Sequence, residues 1–338
     1  MTAPADGGAG AAASGGSEAL AGAYRALRQS AGFFVLPRDV VRASGAEAAA
    51  YLQGQCSQDV LALAPGDTAE SLLLSPQGKV EVYFRITRVA DDAFVLDTDE
   101  GTGPAMVARL ERFRLRTKVE FESLDWTCVA IRGPGAEAAV IGAPDLVLLV
   151  SVPGLSGVDL LGPSAADGLT AWVAVDRAVP TPPAAWEAAR IEAGVPVNGR
   201  ELQEGTIAAE ADLVERTVSF TKGCFTGQEL VARLDARGSK VARHLCAVVV
   251  TVPGGQSPDD PAVVASLVGA PVSTPDGEHD VGHLSSVAWS PGLRSVVALA
   301  TLHRRIQPTA AVTVTWTAPD GSVTPLAAEA RTLPLPAA

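Results

Sequence analysis

Lys222-Gly223-Cys224-Phe225-Thr226-Gly227-Gln228-Glu229 is the stretch on which the reading of this 338-residue chain turns. Two glycines bracket the cysteine closely. A residue without a Cβ lets the backbone turn tightly and lets another segment or a ligand approach. Lys222 and its basic neighbours would favour thiolate over thiol, so Cys224 is the candidate reactive group and Lys222 its candidate activator. Beyond Gly227 an amphipathic helix is expected over about 229–234, with its first N–H groups available to an anion. None of the four histidines lies beside Cys224 in sequence, so chain order does not indicate a Cys–His hydrolase.

Working outward, the charge reverses. The chain carries a formal net charge of −12, yet Arg216 to Arg243 holds six basic residues against two acidic ones. The global charge disfavours a broad nucleic-acid surface, and the aromatic residues are too dispersed for a base-stacking platform. The local positive stretch reads either as a solvated face or as a groove for a small anion or an acidic partner protein. No apolar run approaches the roughly 20 residues needed to cross a bilayer, so no membrane partner is expected. Residues 1–17 are dominated by small and polar residues without a basic start or an Arg. They read as a disordered tail rather than a targeting segment, and a cytoplasmic location is the expectation.

Further upstream, Arg190-Ile191-Glu192-Ala193-Gly194 ends a helix, with Gly194 as a left-handed cap and Pro196 preventing resumption. Glu192 then sits in the last turn, where the helix dipole disfavours an acid. A carboxylate kept there could accept paired N–H bonds from a flat, guanidine-like heterocycle edge. In Gly54-Gln55-Cys56-Ser57-Gln58-Asp59, Cys56 reads as a small buried residue, while Gln55 and Asp59 could line a polar pocket. Ser75-Pro76-Gln77-Gly78-Lys79 lacks the spacing and the Ser or Thr of a phosphate loop and reads as a hairpin turn. The cysteines at 56, 128, 224 and 246 form no CxxC pair, and His279 and His283 are spaced H-x3-H with a Gly among the intervening residues and no Glu between them to serve as a base. No residue is expected to hold a structural metal.

The elements imply a two-layer α+β arrangement. Helices are expected over about 18–30, 47–52, 106–114 and 183–191, and strands at 35–41, 71–74, 80–86, 94–96, 128–132, 145–150 and 171–175. After about Lys240 short strand candidates follow at 247–252, 263–268, 282–288, 296–302 and 311–316, a texture that favours a small antiparallel barrel or sandwich.

Lys222 to Glu229 closely resembles the signature of YgfZ-type folate-binding proteins, which are related to a mitochondrial iron–sulfur assembly factor. The resemblance extends through Leu52-Gln53-Gly54-Gln55, Leu74-Ser75-Pro76-Gln77-Gly78-Lys79, Arg190 to Gly194, Val231-Ala232-Arg233 and the Arg237-Gly238 pair. That family is similar in turn to the tetrahydrofolate-dependent aminomethyltransferase of the glycine cleavage system. The resemblance implies a three-domain ring: two ferredoxin-like α+β subdomains, the first interrupted by the second, and a C-terminal antiparallel β-barrel. The first subdomain is expected at 18–48 and 124–238, the inserted one at 49–123 and the barrel at 240–335. It also implies a central opening in which a reduced folate, tetrahydrofolate, lies against Glu192, with Gln55, Gln228 and Arg233 as further contacts. Cys224 and Lys222 would carry the chemistry, together with Glu81. Glu81-Val82 stands where the transferase has paired aspartates. The activity implied is assembly, repair or maintenance of iron–sulfur enzymes. One thiol cannot complete a cluster site, so any cluster would be held transiently and shared with an iron–sulfur carrier or client protein. A working aminomethyltransferase and a non-catalytic interaction protein are the rival readings.

Overall fold

The computed structural model describes residues 8–163, 171–236, 238, 240–252, 259–318 and 320–336. The α+β class holds, with two ferredoxin-like units and a closed barrel. The first sheet runs in the order Val179–Pro180, Gly32–Val35, Trp126–Arg132, Gly157–Pro163, Leu146–Val150, all pairs antiparallel except the first. The second runs Thr68–Leu74, Val80–Ala90, Ala93–Asp99, Arg38–Ser44, Glu120–Leu124, antiparallel throughout.

The strand expected at 35–41 is two strands in different sheets. Pro37 stands between them, and a residue without an N–H cannot extend a ladder. Leu36 closes the first strand by donating its N–H to Cys128 O at 2.9 Å. Arg38–Ser44 then pairs inside the second sheet. The changeover expected after residue 48 therefore falls at Pro37, and the chain re-enters the first sheet at Trp126. At the N-terminus the helix runs from Gly8 to Gln29, so the tail expected over 1–17 is helical from Gly8 on, while residues 1–7 lie outside the described residues.

The barrel closes six strands in the order Arg243–Val250, Ser295–His303, Asp280–Ser290, Pro271–Ser273, Ala310–Thr317, Val323–Arg331, the last pairing back onto the first. The strand expected at 263–268 is instead part of the helix Pro261–Ser266. Asp260 caps it by accepting from Ala262 N at 2.8 Å, and Pro261 occupies the first turn, where no N–H is needed. That cap outweighs the β-branched valines. The strand expected at 171–175 begins in a helical turn, and Val173 makes a single bridge to Val140.

Alternation along the first barrel strand explains how the units join. Cys246, Val248 and Val250 point into the barrel core. Ala247 points the other way, into a cluster with Ala185, Ala188, Ala189 and Ile191 of the helix Pro183–Ala193 and with Tyr24 and Leu27 of the N-terminal helix. Small residues on both sides let that helix lie close to the barrel wall. The position of this helix decides which side chains meet the central space.

Candidate functional site

Three loops that are far apart in sequence converge at the cysteine. Gly227 has φ 82° and Gly78 has φ 74°, both in the region that favours glycine. A Cβ on Gly227 would lie 2.4 Å from Ser75 O, and one on Gly78 would lie 2.6 Å from Leu230 Cβ. The Ser75–Lys79 hairpin and the cysteine loop thus pack backbone against backbone, which only glycines allow. Thr226 donates its N–H to Gly54 O at 3.2 Å, tying in the third segment. Phe225 is buried among Leu72, Leu74, Val80 and Val231 and anchors the loop from beneath.

Lys222 reaches back under the loop. Its Nζ donates to Gln53 O at 2.6 Å, Cys56 O at 2.6 Å and Gln58 O at 2.8 Å, around the C-terminal end of the helix Ala48–Gln55. An ammonium has three N–H bonds to give, and all three are taken, so none is left to activate Cys224. Burial lowers the pKa of Lys222, with the charge of Asp59 working against that shift. Gln228 is also structural, its Oε1 accepting from Phe225 N at 3.1 Å. Arg233 pairs with Glu229 one turn away on an exposed surface.

Of the four cysteines, Cys224 is exposed and the other three are buried. Burial pushes the thiols of Cys56 and Cys246 up to about 12, so both remain protonated at neutral pH.

The expected folate residues are not brought together. Glu192 is 1% exposed. Its Oε2 accepts from Tyr24 Oη and from an Arg28 Nη, each at 2.6 Å, and its Oε1 is buried without a partner. The carboxylate faces the N-terminal helix, not the central space. Two residues along a helix turn the side chain by about 200°. Arg190, which lines the central space, and Glu192 therefore cannot share a face. Burial, followed by the Glu192 hydrogen bond, raises the Tyr24 hydroxyl to about 12. Glu81 accepts from Arg109 Nε at 2.5 Å, and Arg109 also donates to Gln55 Oε1 at 3.0 Å and Leu74 O at 3.0 Å. Glu81 and Gln55 share this buried arginine and do not line the central cavity or its cleft.

What lines the centre is a chain of buried ion pairs that sequence reasoning missed. Arg85 bridges Asp97 at 2.6 Å and Asp159 at 2.5 Å, Arg38 bonds Asp97 at 2.8 Å, and Arg132 bonds Asp159 at 2.6 Å. Burial alone would raise the carboxyl of Asp159. Arg132 and Arg85 outweigh it and bring the group down to about 2. The available sign was a carboxylate inside an apolar strand, as in Phe94-Val95-Leu96-Asp97 and Val158-Asp159-Leu160. Such a charge is retained only with partners.

These groups border a cavity of about 110 Å³, which shares Leu36, Asp99, Trp186, Arg190 and Val197 with a wider cleft of about 920 Å³. Trp186 and Phe34 stack in that cleft with ring centroids 4.6 Å apart. Glu187 and Arg200 stand at its edge, joined at 2.6 Å.

The chain matches the GCVT N-terminal domain family over residues 13–145. An uncharacterized protein of Haemophilus influenzae is 30% identical over 205 residues, which is 59% of this chain and 67% of that protein. A mitochondrial iron–sulfur cluster assembly factor IBA57 homolog of Mycosarcoma maydis is 30% identical over 227 residues, 60% of this chain and 53% of that protein. The chain thus spans between half and two thirds of these curated relatives. The glycine cleavage system aminomethyltransferase T of Bartonella henselae superimposes with a TM-score of 0.76 over 93% of this chain and 89% of its own, at 19% identity, a likeness of fold. Joined to the convergence of the three motif loops on Cys224, these matches mean that the chain belongs to the YgfZ/IBA57-like family, built on the fold of the aminomethyltransferases.

Proposed function

We propose that this protein binds a reduced folate and supports iron–sulfur enzymes through the thiol of Cys224. The observation that carries the reading is the exposure of Cys224 on a loop held by two glycine contacts and a three-carbonyl lysine clamp, while the other three cysteines are buried. The geometry leaves that sulfur accessible to a partner, and a soft thiolate suits iron in a cluster carried by that partner.

The folate belongs in the cleft beside Trp186. Its volume lies within the usual range for ligand sites, about 300–1,000 Å³. Trp186 and Phe34 offer a ring-stacking surface. Asp99, Glu100 and Glu187 are the carboxylates that line it, in place of Glu192. Asp99 is bound by Arg38 and Asn198, and Glu187 by Arg190 and Arg200, so Glu100 is the one offered to an amino-pyrimidine edge. Arg200 is placed for an anionic tail. When bound, a reduced folate supplies a one-carbon acceptor. The chain's own residues bind and orient it.

Two measurements test this. Tetrahydrofolate titrated into wild type by calorimetry should bind saturably, and Trp186→Ala should weaken binding while Glu192→Gln leaves it unchanged. A folded wild type with no affinity would end the folate reading. In a strain lacking its own copy, Cys224→Ser should fold and keep folate yet fail to restore iron–sulfur enzyme activity, while Cys56→Ser, Cys128→Ser and Cys246→Ser restore it if they fold. Full restoration by Cys224→Ser would end the thiol reading.

A further inference from the structure

A second cleft lies at the far end of the strand Arg38–Ser44. Arg38, at the near end, belongs to the central ion-pair chain, whereas Ser44 borders the second cleft, about 20 Å away at the rise of an antiparallel strand. This cleft has a volume of about 770 Å³ and lies between that strand end, Asp92–Ala93 and the loop that follows the helix Gly103–Arg114.

The loop reads Arg114-Leu115-Arg116-Thr117-Lys118. Leu115 is 90% exposed at φ 47°, a conformation that β-carbon sterics disfavour for leucine. Glycine is the usual residue just past a helix end. Here a large apolar side chain is held outward instead, and strain kept with exposure points to use of the residue. The loop is pre-organised. Thr117 N donates to Arg114 O at 2.9 Å, Glu47 N to Lys118 O at 3.2 Å, and Lys118 N to Glu47 Oε2 at 2.8 Å. Gly45, whose Cβ would lie 2.4 Å from Lys118 O, lets the loop pass close by.

Around Leu115 stand Arg42, Arg116 and Lys118, all exposed, and none forms an ion pair among the described residues. Arg114 is paired with Glu111. On a chain of net charge −12 this is a concentration of unused cations. Asp92 and Glu120 also line the cleft. Their carboxylates can receive main-chain N–H donors from a polypeptide, which a sugar-phosphate backbone does not carry.

We propose that this cleft docks an acidic segment of a partner protein that carries an apolar residue to cover Leu115. Charge complementarity with the three unpaired cations supplies attraction and orientation, and Leu115 supplies the apolar contact.

Fluorescence anisotropy with a fluorescein-labelled peptide of alternating glutamate and leucine tests it. Wild type should bind the peptide, more weakly as salt rises, and a serine-for-leucine version of the peptide should bind less. Arg116→Glu with Lys118→Glu should lower affinity at least about tenfold, as expected when complementary charges become like charges. Leu115→Gly should raise the urea midpoint by relieving the backbone while weakening the peptide, a combination that a purely structural leucine would not give. The proposal is overturned if wild type does not bind the peptide, or if the variants bind as wild type does. It is equally overturned if single-stranded DNA or phosphatidylserine vesicles bind this loop as well as the peptide does, or if the chain self-associates through Leu115.

Discussion

Replacing Lys222 with methionine keeps the aliphatic stem and removes the ammonium. Three carbonyls at 2.6, 2.6 and 2.8 Å then lose their common donor. A hydrogen bond to a charged group contributes about 1.5–3 kcal/mol, and three such bonds to one nitrogen are not additive. Lys222 is partly exposed, so water reaches some of the freed carbonyls. A net loss of about 2–4 kcal/mol follows from those per-bond values after that discount. Urea unfolding should show it as a lower midpoint at unchanged slope. Lys222→Arg should also destabilise, because a planar guanidinium fork does not direct its donors at three converging carbonyls. Cys224→Ser in the same assay should stay within about 0.5 kcal/mol of wild type, as exposed substitutions do. A Lys222→Met protein as stable as wild type would refute the clamp and return Lys222 to the role of thiol activator.

Gly227→Ala should cost more than about 2 kcal/mol and disturb the cysteine loop, since a Cβ there meets a carbonyl and the backbone is left-handed; Gly223→Ala, with nothing within 4 Å, should be tolerated, and equal melting of the two variants would contradict the backbone contact. Asp159 has a folded-state value depressed from 3.8 to about 2. Its contribution is therefore fully present above pH 4 and is lost as pH falls through about 2, a step of about 2 kcal/mol at 1.36 kcal/mol per unit. An acid-unfolding series in which Asp159→Asn shows the same step as wild type would remove Asp159 as its source. Glu81→Gln should leave iron–sulfur complementation intact, because Glu81 serves Arg109 away from the central cavity; turnover in an aminomethyl-lipoyl carrier assay that disappears in this variant would instead favour the transferase reading.

Local chemistry made much of this protein readable from its residues. Gly194 past a helix end, Pro183 at a helix start and the apolar run 247–250 each act within a few residues. The helix Pro183–Ala193 could therefore be anticipated, and the barrel strand Arg243–Val250 in part, its start falling four residues before the expected 247. The cysteine loop was legible for the same reason, because Gly227 marks a backbone that a side chain would obstruct, although Gly223 proves to have open space around it. Direction and partnership were not legible. Whether Glu192 faces a cleft or the N-terminal helix depends on which side of its helix meets the barrel, and that is settled by the packing of the helix on the barrel strands Asp280–Ser290 and Ser295–His303. Lys222 looks like a thiol activator when read beside Cys224 and proves to be a clamp once the end of the helix Ala48–Gln55, more than 160 residues earlier, is folded beneath it. The need of Gly78 for the absence of a side chain comes from Leu230, and the charges of Asp97 and Asp159 are bearable only because Arg38, Arg85 and Arg132 converge from three other strands. A hydrogen-bonding group or a charge can be read from one residue, but its partner is chosen by the tertiary fold, because burial makes an unpartnered polar group costly and only long-range packing determines which partner is within reach.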